Sequence, residues 1–342
     1  MTGNRNHTTL SRVARLATFV AIAATIIVMI LPSTVVEAAP TPPYYTYSFY
    51  MTSINTTSAY NWGYSQGIHD YRDLPGHQDS MTILDFGQPA IQNGVYGAFI
   101  FDQNADFVSI SDIESVVDAY SDGFFAGLSG SDSNLTVAIG TSNLGQQVNY
   151  QSHGAAWAQA VDSVQNYVTQ AGYSQRISIA GADDMELDYN TYNATFPWIQ
   201  GFASANPNGR LLMDYGDSAA CPQSGTTTTP GACNNGWTQQ TLWYAAYYYN
   251  FAFPTPEIYT PDSAQARQWQ QISLWGYLTQ SNQAIRFVSS FTQLGSCQQG
   301  HYCAPGTDNS PDIGFSQLWD AIYSDSRTAI GFSWSTDIRY ET

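Results

Sequence analysis

Beyond residue 80 the chain alternates short apolar runs with longer amphipathic stretches. Residues 82–87 (Thr-Ile-Leu-Asp-Phe-Gly) read as a strand ending in glycine. Residues 109–128 place Ile110, Ile113, Val116, Val117 and Tyr120 on one face at three- and four-residue spacing, which predicts a helix. A strand at 136–140 follows, then a helix over 155–171 with Trp157, Val161, Val164 and Val168 at the same spacing. Residues 176–181 begin a strand that runs into an acidic stretch, Asp183-Asp184-Met185-Glu186-Leu187-Asp188. A short helix at 196–203 and a strand at 210–215 complete this half.

The second half is less regular. Residues 241–247 and 257–260 read as strands, 262–278 as a helix capped after Pro261, 285–291 as a strand, 315–326 as a helix and 329–334 as the last strand. Residues 39–46, rich in Pro and Tyr, predict an extended arm, and residues 97–101 a possible extra strand. The strand candidates near 82, 136, 176, 210, 241, 257, 285 and 329 number eight, most of them separated by helices. Alternation of this kind argues a parallel sheet, and eight repeats in about 300 residues argue a closed α/β (β/α)8 TIM-type barrel as a single domain. No Gly-rich phosphate loop follows the first strand, which weakens nucleotide-binding readings.

The N-terminus changes the picture of where such a barrel works. Arg5, Arg12 and Arg15 precede an apolar run over 16–31, Pro32 breaks it, and Val36-Glu37-Ala38 supplies small residues at a cleavage site. That order predicts a signal peptide over 1–38, with residues 39–342 as the secreted domain. The run is short for a membrane span of about 20 residues.

All ten basic residues are Arg. Residues 39–342 keep seven of them against 26 acids. So negative a chain repels nucleic acid and anionic membrane surfaces, and neither is expected as a partner. Abundant Tyr, Trp, Ser, Thr, Asn and Gln suit a glycan ligand, such as an extracellular polysaccharide. Four cysteines in an exported chain favour disulfides over a metal site. The sequence-local pairing is Cys221–Cys233 and Cys297–Cys303, one of three possible. No cofactor and no metal are expected.

Barrel sites lie at the C-terminal ends of strands. Asp85, Asp102, Asp183, Asp184, Glu186, Asp188, Asp214, Asp217, Glu257, Trp334 and Asp337 fall there in this reading. In an extended run Asp184, Glu186 and Asp188 share one face. Carboxylates so crowded cannot all ionise cheaply, so at least one pKa must rise. A raised acid beside an ionised carboxylate is what glycosidic cleavage requires. A solvated acidic loop is the plainer alternative. Asp85 and Asp214 serve equally well as site groups or helix caps, whereas Asp217 and Asp262 read as caps. Trp334 offers a sugar-stacking floor or core packing. His69, His77 and His153 fall in polar stretches with no nucleophile partner.

The Asp184-Met185-Glu186 step after Ile177-Ser178-Ile179-Ala180-Gly181 resembles the acidic strand-end motif of chitinase-type and muramidase-type glycoside hydrolase barrels. In the chitinase pattern Asp-x-x-Asp-x-Asp-x-Glu, only the last Asp and Glu are matched, and the earlier Asp positions hold Ile179 and Ala182. A closer likeness rests on residues 83–87, 181–186, 198–201, Tyr215-Gly216-Asp217 with Cys221-Pro222, residues 256–259, Gln268-Trp269-Gln270 and residues 335–338. On these the chain resembles a group of secreted bacterial glycoside-hydrolase-like barrels without established activity. The likeness implies the fold, export, and an acid at Glu186.

Two functions therefore stand side by side. One is a glycoside hydrolase with Glu186 as general acid and Asp184 as its partner, and with Asp85, Asp214, Tyr215 and Trp334 shaping the sugar site. The other is a non-catalytic glycan-binding or cell-surface barrel.

Overall fold

The computed structural model describes residues 40–145, 150–300 and 309–341, and in it eight parallel strands follow one another around a ring. They are β1 (Thr46–Tyr50), β2 (Asp79–Asp85), β3 (Asn134–Ser142), β4 (Ile177–Asp184), β5 (Leu212–Asp214), β6 (Ala252–Pro254), β7 (Ser289–Thr292) and β8 (Trp334–Tyr340). Each but β6 pairs in parallel with the next, and β8 pairs with β1. Between β6 and β7 the ring is completed by the bonds Val288 N to Pro254 O (2.9 Å) and Ile258 N to Phe291 O (2.9 Å). This is the (β/α)8 barrel the alternation predicted.

The helices are α1 (Thr56–Ile68), α2 (Ile110–Gly127), α3 (Tyr150–Gln170), α4 (Tyr192–Ser204), α5 (Gln239–Tyr247), α6 (Ala264–Thr279), α7 (Leu294–Gln298) and α8 (Pro311–Tyr323). An antiparallel flap, Gln88–Gln92, Val95–Phe99 and Phe107–Ser109, is inserted after β2. It accounts for the extra strand near 97.

The alternation along each strand splits the core in two. Met81, Ile83, Ala138, Ala180, Ala182, Met213, Phe291 and Ile338 fill the barrel interior. Residues of opposite parity, such as Leu84, Val137, Ile139, Ile177, Ile179 and Leu212, pack outward against the helices.

Several elements depart from the sequence pattern, among them β6, which lies at Ala252–Pro254 and not at 257–260, where Glu257 makes only an isolated bridge to Phe291. Residues 46–50 form β1, a strand the pattern did not predict. Their inward positions, Thr46 and Ser48, are polar but bonded inside the barrel: Thr46 to the Met81 carbonyl and Ser48 to Thr336 (2.8 Å). Residues 241–247, rich in Trp and Tyr, are helical. Thr238 and Thr241 cap that helix reciprocally, and Leu242, Trp243, Ala245 and Ala246 are buried at helical spacing. Helix α1 has little apolar patterning because it buries small residues, Ala59, Gly63 and Gly67. A Cβ on Gly63 would lie 2.0 Å from the Tyr120 carbonyl oxygen, and one on Gly123 would lie 2.0 Å from the Tyr60 carbonyl oxygen. The two backbones therefore touch where only glycine fits.

Cys221 and Cys233 form a disulfide that closes the loop between β5 and α5. Cys303, His301 and the signal segment 1–38 lie outside the described residues. No helix among the described residues is long and apolar enough to cross a membrane.

Candidate active site

The C-terminal ends of the strands gather the acids. Strand register sets Tyr340, Tyr50 and Asp85 side by side across β8, β1 and β2. On the other side Ser142 pairs with Asp184, and Asp183 with Asp214. Parity aims Asp85 and Asp184 into the barrel, in line with Ile83 and Ala182. Beyond β4 and β6 the chain turns inward to add Glu186 and Glu257. Carboxylate oxygens of Asp184, Glu186 and Glu257 all lie within 4.8 Å of one another.

The peptide carrying Glu186 is clamped from two sides. Asn143, 3% exposed, accepts from Glu186 N (3.2 Å) and donates to Glu186 O (3.0 Å). Asp217 accepts from Leu187 N (3.0 Å), so it ties two loops together rather than capping a helix. Gly216 allows this closeness, since a Cβ there would sit 2.4 Å from the Met185 backbone. The fixed backbone leaves the Glu186 side chain half-buried beside Glu257.

Electrostatically the mouth is one-sided. Oxygens of Asp85, Asp183, Asp184 and Asp214 are buried without a hydrogen-bond partner. Among the described residues none of these acids, nor Glu186 or Glu257, forms an ion pair with Arg or His. Burial therefore dominates every shift. It raises Asp85 to about 7 and Asp214 to about 8. Glu186 rises to about 8, first by burial and then by the charge of Asp217. Asp183, Asp184 and Glu257 are pushed well above the carboxylate range by burial and by their neighbours' charges. Glu186 and Glu257 bring their oxygens within 4.8 Å of each other, so a proton on either relieves the repulsion between them. At neutral pH this cluster is a store of protons. The oxygens of Asp184, Glu186 and Glu257 are also the hard donor set that could take a divalent cation in place of those protons.

Aromatic groups rim the cluster. Tyr50 packs against Phe101 and Tyr340, with ring centroids 4.7 and 5.0 Å away. The charges of Asp184, Glu257 and Asp85 raise the Tyr50 hydroxyl pKa further after burial has done so. Tyr189, 40% exposed, stands by the same acids.

The sequence-selected residues divide as follows. Asp184, Glu186, Asp85, Asp214 and Tyr215 converge on the mouth. Tyr215 lies beneath it, donating to Thr141 O (2.9 Å). Trp334 does not join them: it begins β8 and so sits at the opposite end of the barrel, lining a pocket of about 250 Å³ with Asn134, Thr136 and Ser178. Asp188 turns away to accept from Asn234. Asp102 closes a turn by accepting from Asp106 N. His153 is fully buried on α3, bonded to Gly97 O and Trp198, and burial lowers its pKa to about 4. Glu257 was one acid of many in the sequence, and Asn143, Tyr50, Tyr189, Tyr259 and Tyr340 carried no signal there beyond a position near a strand end.

No protein-family model matches the chain, and no curated protein matches it in sequence.

Proposed function

We propose that this protein is a secreted glycoside hydrolase acting on an extracellular or cell-wall polysaccharide. Glu186 is the general acid: with Asp184 it is one of the two half-buried members of the carboxylate trio, and it can reach a leaving oxygen from the mouth. Burial and the charge of Asp217 keep it protonated at neutral pH, and Asp184 and Glu257, once one of them has ionised, stabilise positive charge developing on the sugar. The observation that carries the reading is a trio of carboxylates within 4.8 Å with no basic group to neutralise them. Tyr189 and the Tyr50–Tyr340 pair supply faces on which a sugar ring can stack.

The test is reducing-sugar release from a panel of polysaccharides by wild type and Glu186→Gln. Release by wild type that falls by about 10²–10⁴ in the variant supports the reading. A protein that hydrolyses nothing is not the enzyme proposed. The aromatic rim also favours a second reading, a non-catalytic glycan-binding barrel, which glycan binding without turnover would establish.

A further inference from the structure

Every strand but β8 is followed by a helix among the described residues. The outer surface over β8 and β1 therefore carries no helix there, and it holds a pocket of about 460 Å³. Its walls are aromatic. Tyr45 and Tyr47 meet edge to face at 5.5 Å, and Phe49 stacks on Trp62 of α1 at 5.3 Å. Tyr120 forms the inner end, fully buried, with its hydroxyl in no hydrogen bond of good geometry. Into this setting β8 projects Arg339. Its guanidinium lies 3.7 Å from the Tyr47 ring centroid and 5.2 Å from that of Phe49.

Arg72, Arg210 and Arg327 pair with carboxylates, Arg176 and Arg267 donate to oxygen acceptors, and Arg286 stands exposed at the surface without an ion pair. Arg339 makes no ion pair with a described residue. Asp337, two residues earlier on the same strand, commits its oxygens to Thr292 Oγ1, Leu294 N and Gly295 N. Asp70, behind α1, is occupied by Gln66 and Ser80. A guanidinium seated over a tyrosine ring can still offer its N–H groups, and their fork matches a carboxylate in two parallel hydrogen bonds.

We propose that this pocket is a second binding site, separate from the acidic mouth, for a carboxylate borne on a ring. The ring packs among Tyr45, Tyr47 and Trp62, and the carboxylate takes the Arg339 fork. Uronic acids of acidic glycans and aromatic acids share this chemistry. The chain's net charge of −17 repels such ligands at long range, so binding improves as salt rises toward physiological strength, where screening acts within about 8 Å.

The probes are glucuronate and benzoate, with glucose and acetate as controls that each lack one half of the ligand. Calorimetry and ligand-observed saturation transfer on the purified protein read the binding. One or both acids bind at least tenfold tighter than either control, and which acid wins identifies the source. Arg339→Gln abolishes the difference, and Glu186→Gln leaves it intact because the mouth is elsewhere. Arg339→Lys, which keeps the charge without the fork, weakens binding about tenfold and carries the test if the Gln variant unfolds. The proposal is overturned if neither acid binds, if binding survives Arg339→Gln, or if Glu186→Gln removes it. A dimer in sedimentation that Arg339→Gln dissociates would also overturn it, since the pocket would then hold a second copy.

Discussion

Replacing Asp85 by Asn should make the protein more stable at pH 8 and leave it nearly unchanged at pH 4. Asp85 is fully buried at the end of β2. One oxygen accepts from Gly87 N at 2.8 Å and the other has no partner. Burial lifts its pKa from 3.8 to about 7. A carboxyl whose folded pKa is raised binds more protons folded than unfolded throughout that window, so its contribution to stability falls as pH climbs from about 4 to about 7. At about 1.4 kcal/mol per pH unit, the full effect above pH 7 is about 4 kcal/mol, and about half that if water relaxes the site. Asn keeps the acceptor for Gly87 and cannot ionise. Its orphaned amide replaces an orphaned acid hydroxyl, a cost that does not vary with pH. Urea unfolding of both proteins at pH 4, 6 and 8 should therefore give a gap that opens from near zero to about 2–4 kcal/mol. Taking the difference between the two proteins cancels other titrating groups, among them His153, whose lowered pKa destabilises the fold below about pH 6. A gap that is constant with pH, or a variant less stable at pH 8, would refute the claim that Asp85 is buried without a counter-charge.

Other consequences follow from particular contacts. Activity of the proposed hydrolase should decline as pH rises past about 8, where Glu186 loses the proton it must donate, and a pH profile of kcat/KM checks this. Asn143→Ala frees the Glu186 peptide, so kcat should fall with little change in KM, while a thermal melt shows the barrel still folded. Gly63→Leu forces α1 off α2 and should cost about 3 kcal/mol or more in urea unfolding, far beyond the ordinary overpacking of a core, because the obstacle is backbone. Replacing Cys221 and Cys233 together by Ala opens a 12-residue separation and should cost about 3 kcal/mol, read as a lower Tm under non-reducing conditions.

The alternation of strands and helices fixed the barrel before any coordinates, because periods of 2 and 3.6 follow from local geometry. Asp184 and Glu186 were legible for the same reason: an acidic run straight after Ile177–Ala182 can only emerge at a strand's C-terminal end. Local pattern failed where burial was decided by a distant partner. The stripe Ala59, Gly63 and Gly67 gains meaning only against Gly123 and Gly127, and residues 241–247 became helical because α6 and the barrel wall bury one side of them. Trp334 was placed with the acids because its strand was read five residues early, which moved it from the beginning of β8 to its end. Glu257, more than 70 residues from Glu186, comes into contact with it only when the ring closes between β6 and β7. The sequence thus determined that acids would line a barrel mouth. Which of them crowd within 4.8 Å, and that no arginine among the described residues pairs with them, was decided by closure of the ring, since distance and desolvation, unlike periodicity, are properties of the assembled fold.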